Sequence, residues 1–263
     1  MTSRSMRLLQ LSDPHLLADP AAEYRGLLPE VRLRYGLRQA LSQLAETGER
    51  PDLLLISGDI CQDETWAGYG RLRQMLGELP LAVALIAGNH DHPQLLRAAL
   101  GRRAVVGPAI LPLGHAALLL LDSHWAGRCG GRLGRGQLTW LDRQLAGLQR
   151  PVIVAVHHPP LPIGDPAMDA IGLVDGPALM ACLARHPQVR AVLTGHLHQH
   201  WWGTVPGRPE LPVWACPSTL CSFGPVQPCP LRRPADPGGR WLVITAGGEI
   251  RQRLLRWDPP SVG

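Results

Sequence analysis

Short apolar runs alternate with amphipathic stretches through most of the chain. Residues 6–11, 52–56, 81–86, 116–121, 152–156 and 189–193 are dominated by Leu, Val, Ile and Ala. Uninterrupted runs of this length predict strands buried on both faces, as in a parallel sheet. Between them, residues 35–45, 65–79, 93–100, 137–148 and 177–185 predict helices. Leu37, Leu41 and Leu44 share one face, as do Leu72, Met75, Leu76 and Leu79, and Leu138, Leu141, Leu145 and Leu148. The order is β-α-β-α-β, and right-handed crossovers put the carboxyl ends of such strands on one sheet edge. Residues 213–215, 241–246 and 249–256 add strands, and the proline-rich residues 225–239 a surface connection. Three loops are expected: residues 16–34, irregular; residues 126–136, with five glycines and Arg128, Arg132 and Arg135, a mobile solvated loop or a flap for an anionic substrate; and residues 161–175, overhanging the strand ends. Neither a repeat nor a convincing linker interrupts the pattern, so one α/β domain over residues 1–263 is expected.

The polar residues that interrupt this pattern fall where strands end. Asp13-Pro14-His15 follows the first run, Gly58-Asp59 the second, and Gly88-Asn89-His90-Asp91 the third; His157-His158-Pro159-Pro160 and Gly195-His196-Leu197-His198 follow later ones. A core has little use for an amide, an imidazole and a carboxylate in succession, because each would need a buried partner. A site at the carboxyl edge of a sheet uses all three.

Composition narrows the field. A chain of 263 residues, 45% of them apolar, can bury a sizeable core. The net charge is +5, and all 26 basic residues are Arg, which base composition explains as readily as function. They are dispersed, with no block longer than two, so the charge favours small anions rather than a nucleic-acid track. No apolar run reaches membrane-spanning length, and the N-terminal residues lack the apolar stretch of a secretory leader. The expected setting is the cytoplasm, with its six cysteines reduced; Cys216, Cys221 and Cys229 leave a metal or disulfide reading open.

The strand ends supply Asp13, His15, Asp59, Asn89, His157, His196 and His198, a mixed oxygen and nitrogen set without thiolate. It suits Mn, Fe, Zn or Co better than Ca. Seven ligands are too many for one tetrahedral ion and suit two ions sharing a carboxylate. His115 and His186 read as surface or loop-end groups, and His200 as a substrate contact or a strand-surface residue.

The ordered blocks Asp-x-His, Gly-Asp, Gly-Asn-His-Asp, His and Gly-His-x-His, from Leu9 to about Ser222, resemble the calcineurin-like metallophosphoesterases. The finer match is to the class III 3′,5′-cyclic nucleotide phosphodiesterases, carried by residues 9–16 (LQLSDPHL), 157–164 (HHPPLPIG), 168–173 (MDAIGL), 185–192 (RHPQVRAV) and 217–219 (PST). Departures are Ala87, where members often carry proline, and the unfamiliar loop over residues 18–34. The resemblance implies a four-layer α/β-β/α sandwich and a homodimer as one possible assembly. It implies two divalent or mixed-valence transition-metal ions, Asp13, His15, Asp59 and His198 holding one, with Asp59 bridging, and Asn89, His157 and His196 completing the other. His157 rather than His158 is the implied ligand. His90 would contact the phosphate or protonate the leaving oxygen, with Asp91 orienting it, and Asn89 and His198 would also border the substrate. The implied activity is attack of a metal-bound hydroxide on phosphorus, converting cyclic AMP to 5′-AMP. Alternatives within the same chemistry are a glycerophosphodiesterase, a nucleotide pyrophosphatase or a phosphatase; outside it stands a protein-binding scaffold that has lost its metals.

Overall fold

The computed structural model describes residues 5–260; residues 1–4 and 261–263, parts of the expected domain and of the segment read for a leader, lie outside the described residues. The strands are β1 (Met6–Leu11), β2 (Leu53–Ile56), β3 (Ala82–Leu85), β4 (Val105–Val106), β5 (Ala109–Leu113), β6 (Ala116–Leu120), β7 (Val152–Ala155), β8 (Val189–Thr194), β9 (Trp201–Val205), β10 (Arg208–Ala215), β11 (Gly238–Ile244) and β12 (Ile250–Arg256). The helices are α1 (Pro29–Glu46), α2 (Trp66–Gly77), α3 (Pro93–Leu100), α4 (Gly134–Gly147), α5 (Pro166–Asp169) and α6 (Gly176–Ala184).

The strands form two six-stranded mixed sheets, β12-β11-β1-β2-β3-β4 and β5-β6-β7-β8-β10-β9. Within the first, β1, β2 and β3 run parallel; within the second, β6, β7 and β8 do. Alternation along each strand explains the layering. Leu8, Leu53, Leu55 and Ala84 point toward Leu118, Leu120, Ile153 and Ala155 of the other sheet, forming the central seam. The opposite faces pack outward. Leu9, Leu54, Ile56 and Leu85 meet α1, α2 and α3; Leu119, Val152, Val154 and Val192 meet α4 and α6. The result is helix, sheet, sheet, helix, the α/β sandwich expected.

Several boundaries differ from the sequence reading. Helix α1 starts inside the expected loop 16–34, with Pro29 in its first turn, where the missing N–H costs nothing. Arg34 and Glu30 pair one turn apart on it, 2.9 Å between them. Helix α4 starts at Gly134 because the Asp175 carboxylate accepts from the Leu133 and Gly134 amides at 3.0 and 2.7 Å. The expected free loop 126–136 is tied by its backbone to residues 172–174, with Gly131 N donating to Gly172 O and Val174 N to Gly131 O. The expected loop 161–175 contains α5, capped by Asp165. Strand β9 was not foreseen; it is the hairpin partner of β10 at the sheet edge. Among the described residues, no helix is long and apolar enough to cross a membrane.

The seam carries a stability test. Leu118 is fully buried between the sheets. Leu118→Ala is expected to lower unfolding free energy in urea by about 2–5 kcal/mol. A loss below about 0.5 kcal/mol, the range of a surface substitution, would contradict its place in the seam.

Candidate metal centre

The carboxyl ends of β1, β2, β3, β7 and β8 converge where the two sheets meet. Buried polar contacts hold them together: Gln10 Nε2 donates to Thr194 O across the sheets at 3.0 Å, and Gly195 N donates to His157 O. Each strand turns sharply as it leaves the sheet. Asp13, His15, Asp59, His196 and His198 all have positive φ, between 47° and 68°. Non-glycine side chains adopt that region only where the surroundings impose it, and such strain collects at functional sites. The glycines beside them are required by space. A Cβ on Gly58 would lie 2.1 Å from His157 Nδ1, and one on Gly88 2.1 Å from Asp59 Oδ1.

These turns assemble two adjoining groups of possible ligands. Asp13, His15, Asp59 and His198 form one, and His157, His158 and His196 the other, the ligand atoms within each group lying no more than 4.8 Å apart. The Asn89 side-chain oxygen joins the second, 3.3 Å from His157 Nε2 and 3.0 Å from His196 Nδ1. Asp59 reaches both: its Oδ2 is 3.9 Å from His15 Nε2 and 3.4 Å from His157 Nε2. All seven sequence-expected ligand residues are therefore brought to one place. His158 stands apart in its bonding. Its Nε2 bonds to the Cys129 carbonyl at 3.1 Å and its Nδ1 to Ser123 Oγ at 2.8 Å, so both ring nitrogens have protein partners.

The tautomers follow from those partners. His15 Nδ1 donates to Gln62 Oε1 at 2.7 Å, His157 Nδ1 to Ser57 O at 2.7 Å, and His198 Nδ1 to Cys221 O at 3.2 Å. Each ring thus turns its Nε2 inward, as a lone pair on His15 and His198 and on His157 once that ring gives up its second proton. His15 Nε2 and His198 Nε2 face each other across 3.0 Å, and His198 Nε2 lies 3.6 Å from Asp13 Oδ1. His196 Nε2 is buried without a hydrogen-bond partner. Ring nitrogens, two carboxylates and an amide oxygen converge with no Lys or Arg among them. That enclosure fits cations and little else.

Electrostatics agree. Burial pushes His15 down to about 4, His196 down to about 3 and His198 well below the usual imidazole range, so these rings stay neutral and able to coordinate. Burial, with Asp59 nearby, lifts Asp13 to about 7, although His157 opposes it. At His157 burial is outweighed by the carboxylates of Asp59 and Asp13, and its pKa rises to about 9. The proton it holds is a cation standing where the acceptors demand one.

His90 and Asn89 are half-buried and border a cavity of ≈ 560 Å³, which His92, His124 and Arg128 also line. His90 N donates to Asp59 Oδ1 at 2.9 Å, and Gln62 Nε2 contacts His90 Nδ1 at 3.1 Å. The expectation that Asp91 orients His90 needs correction. The Asp91 carboxylate accepts from the backbone amides of Ile60, Cys61 and Gly88 and from the Tyr69 hydroxyl, all within 3.1 Å. It pins the β2 and β3 turns together, and Gln62 is the residue that contacts the His90 ring. His200 is no substrate contact either: it is buried, with Arg240 Nη2 donating to its Nδ1 at 3.2 Å. All six cysteines are free, and Cys216, Cys221 and Cys229 join none of the possible metal groups among the described residues.

Some contributors were not read from sequence. Tyr24 stacks on His15 with ring centroids 5.0 Å apart, and Phe223 on His198 at 4.1 Å. Arg25 lies over both aromatic rings. Phe223 is the only Phe in the chain. Gln62 follows Asp59 by three residues, an available signal that amide chemistry alone does not raise above a surface glutamine.

Comparison with known proteins gives the same picture. The family model for calcineurin-like phosphoesterases matches residues 6–200. A probable cyclic nucleotide phosphodiesterase of Synechococcus sp. (strain WH7803) is 50% identical over 262 residues, covering 96% of this chain and 97% of that one. The 3′,5′-cyclic adenosine monophosphate phosphodiesterase CpdA of Pseudomonas aeruginosa is 34% identical, covering 98% and 92%. Among solved structures, a dimetal phosphatase from Danio rerio shares the fold with a TM-score of 0.64 at 15% identity, covering 98% of this chain and 100% of that one. With the fold, the strand-end ligand groups and the match over most of its length in agreement, the chain belongs to the calcineurin-like phosphoesterase family.

Proposed function

We propose that this chain is a dinuclear-metal phosphodiesterase that hydrolyses 3′,5′-cyclic nucleotides, cyclic AMP to 5′-AMP. The observation that carries the reading is the buried enclosure of carboxylates, imidazoles and an amide oxygen with Asp59 reaching both ligand groups. The relatives named above support the substrate class. In this reading Asp13, His15, Asp59 and His198 hold one ion, and Asp59, Asn89, His157 and His196 the other. The ions belong to the Fe, Mn, Zn and Co class that mixed imidazole and carboxylate sets favour. When bound, they supply Lewis-acid charge and lower the pKa of an attacking water. The protein residues do the rest. Gln62, accepting from His15, turns its amide N–H toward His90 Nδ1. His90 then carries its proton on Nε2, from which it can donate a hydrogen bond to the phosphoryl group or to the departing O3′, whose proton comes from the attacking water. As the P–O3′ bond breaks and a water oxygen bonds to phosphorus, the product is the 5′-monophosphate. The cavity beside Asn89 and His90 would receive the nucleoside.

The whole of residues 1–263 is read as one such domain, because both sheets share a seam and both contribute ligands. Free thiols throughout support a reducing, cytoplasmic setting.

Three measurements test this. In Asp59→Ala, elemental analysis is expected to find both ions lost and turnover at background; a fully loaded, active variant would sink the assignment. In His90→Ala both ions should remain while turnover falls by about 10²–10⁴-fold. Unchanged turnover there would remove its role. Finally, protein loaded with Mn or Fe should convert cyclic AMP to 5′-AMP faster than it cleaves bis(p-nitrophenyl) phosphate. Cleavage of the artificial diester alone would keep the metal centre and refute the substrate. Cleavage of p-nitrophenyl phosphate alone would make the protein a phosphatase.

A further inference from the structure

On the outer side of the second sheet, α4 and α6 pack against each other and bring together three side chains that the metal centre does not use. Asp142 lies on α4, Cys182 in the last turn of α6, and His186 just beyond its end. Asp142 Oδ1 is 2.8 Å from His186 Nε2 and 3.6 Å from Cys182 Sγ, and the three ligand atoms all lie within 4.8 Å of one another. Cys182 is buried and His186 half-buried, so two of the three are held by packing. The same carboxylate oxygen is 2.9 Å from Arg185 Nη2, at the C-terminal end of α6. A cation therefore already sits at this corner, where the negative pole of the helix favours one.

We propose that Asp142, Cys182 and His186 form a separate binding site for a thiophilic divalent cation of the zinc class. Thiolate, imidazole and carboxylate are the three donor types zinc accepts, with bonds of about 2.0–2.3 Å in tetrahedral arrangement. Ligand atoms about 3.2–3.7 Å apart satisfy that geometry. The sulfur–oxygen separation already does, and the oxygen–nitrogen pair needs to open by only about half an ångström. Binding forms a metal–sulfur bond as the Cys182 S–H proton leaves to solvent, so one proton is released per ion. The His186 proton moves to Nδ1, freeing the Nε2 lone pair. Arg185, whose side chain is more than half exposed, swings out to water without leaving a buried charge. Water completes the fourth position. The ion would tie α4 to α6.

The test is titration of the full chain with cobalt(II), which reports thiolate ligation by a charge-transfer band in the near ultraviolet. The strand-end centre offers nitrogen and oxygen donors, so this band reads the second site alone. Cys221 is a thiol near that centre, its Sγ 3.7 Å from His198 Nδ1, and Cys221→Ser serves as the control. With the strand-end centre already loaded with its two ions, the expected result is a band saturating at one further cobalt per chain, bleached by added zinc, kept in Cys221→Ser and lost in Cys182→Ser. Should Cys182→Ser fail to fold, His186→Gln must lose the band instead. Absence of the band in the folded wild type overturns the proposal, as does its persistence in either variant. Neither result bears on the phosphodiesterase reading, which rests on different residues.

Discussion

Two carboxylates, Asp13 and Asp59, are buried at the meeting of two sheets among imidazoles whose lone pairs face them. Desolvating a carboxylate is costly unless a cation or several donors compensate. Here Lys and Arg are missing, and hydrogen bonds give partial relief: the Ser12 side chain and His196 N donate to Asp13, and His90 N to Asp59. Burial leaves the Asp13 pKa near 7, and proton retention on His157 restores part of the missing positive charge. The local architecture serves this constraint. The positive-φ turns aim five of the seven side chains inward, and Gly58 and Gly88 leave the volume those side chains need.

Ligand direction is set one layer further out. Ser57 O, Gln62 Oε1 and Cys221 O each take the outward ring proton, and those partners come from the β2 turn and from a segment more than 150 residues later. Tyr24, Arg25 and Phe223 then back the His15 and His198 rings from outside. Loops distant in sequence thus share the task of holding two imidazoles face to face. Their packing restricts ring rotation, which keeps the tautomer that the hydrogen bonds select.

The legible parts of the chain were those where a local rule and the tertiary structure coincide. Continuous apolar runs gave the parallel strands, since burial on both faces leaves no alternation to misread. Polar blocks at their ends located the centre, because parallel strands bring their carboxyl ends together whatever lies between. The start of α1 was less visible. Residues 29–34 bury only Pro29 and Leu33, too short a stripe to show a helical period. The Asp91 assignment failed for a different reason: adjacency in sequence does not fix direction. The chain turns between His90 and Asp91, so one side chain faces the cavity and the other the Ile60 and Cys61 amides. His158 shows the same limit beside His157, with ring centroids 4.8 Å apart and different partners.

Gln62 links the two halves of the chemistry. An amide has one accepting and one donating end, so its orientation cannot serve His15 without fixing what it offers His90. Accepting from His15 Nδ1 leaves the His15 Nε2 lone pair for coordination. The same orientation points Nε2–H at His90 Nδ1, which leaves the His90 proton on the nitrogen away from Gln62. One neutral side chain thereby makes one imidazole a ligand and its neighbour a hydrogen-bond donor. A carboxylate at that position would accept from both rings, and His90 would then bond through Nδ1–H, leaving a lone pair on Nε2. Charge alone does not distinguish the two histidines; the polarity of the group between them does.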